Sequence, residues 1–172
     1  MSMRVWTLAA VSLVVLAACS DGADPASGSP PISRGTGVCG VFGSELRIED
    51  RFMQASPVFA PGEPITFNLR ITNNSDAPAM LGHDGCGPMH YVVFDAVGRA
   101  IFDTLPPDTA CTQQYIVESY APRETREFRY DWNQDTNDKA GQAATGTYTA
   151  NVLDRSAECH GDLDRAGDFT IR

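Results

Sequence analysis

Lysine is almost missing from this chain: Lys139 is the only one in 172 residues, and 13 basic residues face 22 acidic ones for a formal net charge of −9. A surface so short of positive charge repels phosphate backbones and anionic headgroups, so neither nucleic acid nor peripheral membrane binding is expected. Helical periodicity is missing as well. Past the first twenty residues no stretch carries apolar side chains at the three-to-four spacing of an amphipathic helix. The one long hydrophobic run, Val5 to Leu16, is too short to span a bilayer as a permanent helix. Nucleophilic catalysis has little to draw on. There are three histidines, His83, His90 and His160, but no serine stands in a G-x-S-x-G elbow. The carboxylates gathered between Asp154 and Asp168 lack the fixed spacing of a calcium loop. The pairs Glu49-Asp50 and Asp162/Asp164 read as a solvated strand edge and a loop. Neither an enzyme nor a bound cofactor is expected.

What is present begins with an address. Arg4, the apolar run and Leu16-Ala17-Ala18-Cys19 follow the pattern of a secretory signal with a small-residue cleavage site, over residues 1–18. Leu-Ala-Ala-Cys resembles the bacterial lipobox, which implies lipidation of Cys19. Ser20, where enteric lipoproteins retained in the inner membrane carry Asp, implies sorting to the outer membrane, facing the periplasm. Acyl chains would then tether the protein without embedding it. Loss of Arg4 with the leader takes the basic residues from 13 to 12 against 22 acidic, a net of −10. Residues 19–38 are the lipidated cysteine and a tether of Ser, Gly, Pro, Ala and Asp, a composition that cannot bury a core. Residues 39–172 suit a single domain.

Four cysteines remain besides Cys19: Cys39, Cys86, Cys111 and Cys159. An even number in an exported chain points to two disulfides, with three connectivities open. The favoured pairing is Cys86–Cys111, around a central hairpin, and Cys39–Cys159, between the ends of the domain. Each would contribute on the order of 3–4 kcal/mol by constraining the unfolded chain.

The clearest strand is 64–73. Ile65, Phe67, Leu69 and Ile71 alternate with Thr66, Asn68, Arg70 and Thr72 between the turn Pro61-Gly62 and the polar stop Asn73–Asp76. Phe128, Tyr130 and Trp132 alternate with charged residues in the same way. Met89–Asp95 is apolar on both faces and reads as a central strand. Weaker strand signals lie at 45–52 (charged, hence at an edge), 99–103, 114–118, 147–153 and 169–172, and 77–81 looks like a short continuation of the clearest strand. Polar loops at 82–88, 104–112 and 133–146 separate them. Seven to eight short strands with frequent turns indicate an all-β, Ig-like antiparallel β-sandwich. Tyr148, just after Gly146, fits the tyrosine corner of such folds.

Taken in order, Pro61-Gly62-Glu63, Phe67-x-Leu69-x-Ile71-x-Asn73-x-Ser75-Asp76, Tyr91-Val92-Val93-x-Asp95-x-x-Gly98, Trp132 and Gly146-Thr147-Tyr148-Thr149 resemble the BsuPI domain. This family of small Ig-like domains is named for an intracellular proteinase inhibitor of bacilli. The resemblance covers about residues 45–153. It implies a β-sandwich and a protein partner, with a serine proteinase as the partner class. The export signal, the four cysteines and the His83-Asp84-Gly85-Cys86 loop depart from that pattern.

Two clusters could carry function. Met80, His83, Cys86, Met89 and His90 bring together thioether, imidazole and thiol, the ligands that Cu(I) prefers. The plainer alternative puts Cys86 in a disulfide, Met80 and Met89 in the core and the histidines on the surface. The second cluster is the loop Thr104–Gln113, with Leu105, Pro106, Pro107, Asp108 and Thr109 at its centre. Two prolines and a disulfide at Cys111 would lower the entropy cost of binding a protein there. A structural or assembly module of the envelope, pairing through an edge strand, is the alternative.

Overall fold

The alternating segments form strands in two facing sheets, as their period of two requires. The computed structural model describes residues 38–138, 141–156, 159 and 161–172. The expected leader, Cys19, the expected tether as far as Gly37, and His160 lie outside the described residues. The elements in order are β1 (Val38–Cys39), β2 (Phe42–Glu49), β3 (Val58–Phe59), β4 (Ile65–Asn73), β5 (Ala79–His83) and β6 (Met89–Asp95). They continue with β7 (Ala100–Asp103), β8 (Ile116–Tyr120), β9 (Thr125–Trp132), β10 (Gly146–Asp154) and β11 (Arg165–Ile171).

One sheet has the order β1-β2-β4-β9, and the facing sheet β3-β11-β10-β6-β7. All pairings are antiparallel except β3 with β11. A separate ribbon, β5-β8, caps one end. This is an all-β sandwich with the Ig-like division of strands. The described residues hold eleven strands rather than seven or eight. The surplus comes from the two-residue pieces β1 and β3, which carry no periodic signal, and from β5, expected as a continuation of the 64–73 strand but paired with β8 in a separate ribbon.

The inward residues of β4 are Ile65, Phe67, Leu69 and Ile71, none of them exposed. Phe67 holds the centre, its ring 6.0 Å from Trp132 of β9 and 6.0 Å from Phe169 of β11. The sheets approach closely at Gly167, where an added Cβ would stand 3.0 Å from Ile48 Cδ1. Tyr148 forms the tyrosine corner, its hydroxyl donating to Ala144 O at 2.5 Å. The strand expected at an edge, 45–52, is β2, which among the described residues is second in its sheet and is paired on its outer side with β1 at Phe42 and Gly43. Glu49 corrects the expectation of a solvated carboxylate: it is 3% exposed and accepts a hydrogen bond from Asn68 Nδ2 at 3.1 Å. The last strand starts at Arg165, four residues before the apolar signal at Phe169.

Gln134, in the long polar loop, is fully buried. Its side chain accepts from Gly62 N and donates to Ala60 O and Glu63 O, each at 2.8 Å, and so fixes the turn that launches β4.

Both favoured disulfides are present. Cys39–Cys159 joins residues 120 apart and Cys86–Cys111 residues 25 apart, with Cα–Cα distances of 5.0 and 4.9 Å.

Candidate functional site

The loop from Thr104 to Gln113 leaves the sandwich at the end of β7 and returns at β8. Its first residues are fastened by the sheet. Thr104 N donates to Tyr91 O, and Tyr91 N to Thr104 Oγ1, each at 3.0 Å, which extends the β6–β7 ladder by one step. Asp103 then serves as an anchor. Its Oδ1 accepts from Leu105 N at 2.7 Å and faces His90 Nε2 at 2.5 Å. Asn137, reaching from the long loop, donates through Nδ2 to Asp103 O at 2.6 Å and accepts from Asp103 N at 3.2 Å.

The far end is fastened by a different segment. Cys111 is bonded to Cys86, and Gly85 N donates to Thr112 O at 3.3 Å. That approach requires glycine, because a Cβ at position 85 would lie 1.6 Å from Thr112 Oγ1 and 2.8 Å from Thr112 O. The Asp84–Gly87 turn is set by Asp84 Oδ1, which accepts from Cys86 N at 3.0 Å, while Gly87 takes φ +93°. Arg155 pairs with Asp84 and holds its carboxyl below the usual carboxylate range.

Between these clamps, Leu105 is half-buried and Pro106, Pro107, Asp108, Thr109 and Ala110 are exposed. Thr109 N donates to Pro106 O at 2.8 Å, so the tip is a four-residue turn with Pro107 at its first central position and Asp108 at its second.

The residues of the soft-metal cluster are distributed as follows. Met89 is in the core, whereas Met80 is 69% exposed on the outer face of β5. His83 is buried, where the plainer alternative put the histidines on the surface. Its Nδ1 lies 2.6 Å from Asp84 O, an atom that can only accept, so Nδ1 carries the hydrogen. His90, next to Met89 in a strand, points to the opposite face and meets Asp103. Among the described residues, the His, Cys and carboxylate ligand atoms that gather as a group of three are those of Asp84, Cys86 and Cys111, within 4.8 Å of one another, with both sulfurs in the disulfide.

The cap ribbon adds a surface that the sequence reading missed. Met80 and Val117 are exposed on the ribbon, at 69% and 51%. The opposite face buries Leu81, His83 and Tyr120, the last stacked edge-on to Phe42 at 5.1 Å. Alternation within 115–120 carried that signal, but the segment is too short to tell which face is wet.

No family model and no curated protein matches this chain. Solved structures to which it is similar include the β-glucosidase EmGH1 of Erythrobacter marinus, at 9% identity and a TM-score of 0.44 over 76% of this chain and 15% of that one. A β-glucosidase of Listeria innocua in complex with glucose is similar at 8% identity and 0.43, over 76% of this chain and 16% of that one. The alkylpurine DNA glycosylase AlkC of Pseudomonas fluorescens, bound to DNA containing an abasic site analog, is similar at 15% identity and 0.43, over 80% and 32%. This chain therefore spans about a sixth of the glucosidases' length, and likeness at this level carries no argument about activity.

Proposed function

We propose that this protein is a lipid-anchored recognition module of the bacterial cell envelope, acting by binding a protein rather than by catalysis. Its contact surface is the loop 104–113. The observation that carries this reading is the loop's construction: an exposed Pro-Pro tip clamped at one end by Asp103 and Asn137 and at the other by Cys86 and Gly85. A loop ordered before binding loses less entropy on binding, and this favours affinity. Acylation at Cys19 and display at the outer membrane, facing the periplasm, supply the address. The resemblance to BsuPI domains makes a serine proteinase the first partner class to test.

The test is crosslinking of the native lipoprotein in its membrane, followed by mapping of the crosslinked residues, beside a panel of serine proteinases. Crosslinks concentrated in 104–113 support the reading, and inhibition by the chain that is lost on Pro106→Gly/Pro107→Gly identifies the partner as a proteinase. Crosslinks that map to Met80 and Val117 instead would replace the loop by the cap ribbon and favour an assembly module.

A further inference from the structure

We propose that Cys86–Cys111 is a thiol–disulfide exchange site: an external dithiol opens it selectively, and opening frees the far clamp of the loop while the sandwich stays folded. The release of the contact loop rests on the reading above; the exchange chemistry does not.

The two disulfides differ in access. Cys39 and Cys159 are 9% and 1% exposed within the core cluster, whereas Cys86 and Cys111 are half-buried on loops. Exchange requires in-line approach of a thiolate to a sulfur, so access sets which bond reacts first. The charge around Cys86–Cys111 permits that approach. A carboxylate oxygen of Asp84 lies within 4.8 Å of both sulfurs, but Arg155 pairs with that carboxylate, so an incoming thiolate meets a neutral ion pair.

The step balances. One thiolate of the reagent attacks a sulfur of the bridge, forming a mixed disulfide and releasing the other cysteine as thiolate. The reagent's second thiol then displaces the mixed disulfide. Two electrons and two protons pass to the protein, which leaves two cysteine thiols and the reagent as its internal disulfide.

The consequences are local because no strand ends at either sulfur. Cys86 lies between β5 and β6, and Cys111 between β7 and β8. Once the bond opens, the Gly85 N to Thr112 O hydrogen bond at 3.3 Å still ties these two loops. The upstream clamp at Asp103 involves neither sulfur and remains.

The test is a dithiothreitol series on the full chain, quenched by alkylation, with peptide mapping, far-UV circular dichroism and hydrogen exchange on each sample. The expected result is alkylation of Cys86 and Cys111 at about tenfold lower reagent than Cys39 and Cys159. The β-sheet spectrum should be unchanged, with faster exchange confined to 84–87 and 108–115. The variant Cys86→Ser/Cys111→Ser should show the same exchange pattern without reagent. Simultaneous alkylation of all four cysteines, earlier reaction at Cys39–Cys159, or loss of the sheet spectrum on opening Cys86–Cys111 overturns the proposal. Selective opening combined with partner binding that does not change overturns the loop as contact surface and leaves the exchange site standing.

Discussion

Removing one amide from the outer face of the first sheet should cost more than removing the carboxylate it serves. Asn68 sits in the middle of β4 on the face turned away from the core, yet it is 1% exposed, and Glu49 beside it is 3% exposed. Asn68 Nδ2 donates to Glu49 Oε1 at 3.1 Å, while Arg129 Nη1 stands 4.0 Å from Oε2. Asn68→Ala strips the amide donor from a buried carboxylate, and a hydrogen bond to a charged group contributes about 1.5–3 kcal/mol. The guanidinium of Arg129, 39% exposed, offsets part of that loss. The expected net cost is about 2 kcal/mol, which for a domain of this size lowers the Tm by roughly 6–10 °C. Glu49→Ala should cost only about 1 kcal/mol, because it removes the buried charge together with its partner bond. Asn68 also keeps a bond to Glu127. The double variant should then be more stable than the sum of the singles predicts, with a coupling of about 1.5 kcal/mol. Urea unfolding of the four proteins at neutral pH measures it. Additivity within about 0.5 kcal/mol would show that the pair does not interact and would refute this reasoning.

Two aspartates should titrate the stability in opposite senses. Burial raises Asp154 above its ordinary 3.8, so the folded state holds its proton longer and stability falls as pH rises from 3.8 through the folded value. Arg155 lowers Asp84 below 3.8, so its contribution is fully present above 3.8 and is lost as pH falls through the folded value. Relative to wild type, Asp154→Asn should therefore gain stability and Asp84→Asn lose it as pH is raised across this window, read by thermal melts from pH 3 to 7. Slopes of the same sign for both would contradict the assignment. Tyr148→Phe removes the corner hydrogen bond to Ala144 O and should cost about 1 kcal/mol in the same urea assay, with the fold intact.

The parts of the fold legible in the sequence are those where one strand carries its own signal. Ile65 to Ile71 declares its inner face without reference to any neighbour, and so do Phe128, Tyr130 and Trp132. Four cysteines narrow the disulfides to three connectivities, and the folded positions of Cys39, Cys86, Cys111 and Cys159 decide among them. His83 was not legible: it is buried because Glu118 and the rest of β8 cover it, and they lie 35 residues along the chain. Gln134 reads as one more polar residue in a polar loop, and only the turn at 60–63 that it holds shows why it is buried. Met80 was misplaced for the converse reason, since a five-residue strand at the end of a sandwich does not say which face is dry.

The same distinction applies to the loop 104–113. Its prolines and Cys111 were visible as a stiff segment, but stiffness alone does not determine direction. Direction comes from two segments remote in sequence. Asn137 grips both backbone polar groups of Asp103 on one side, and Gly85 lets the 84–87 turn close on Thr112 on the other. Neither residue belongs to the loop. A substitution at Gly85 would therefore redirect the Pro106–Thr109 tip while every residue of the tip stayed the same. The presentation of this loop is then a property of three joined segments, and a comparison of loop sequences alone would miss it.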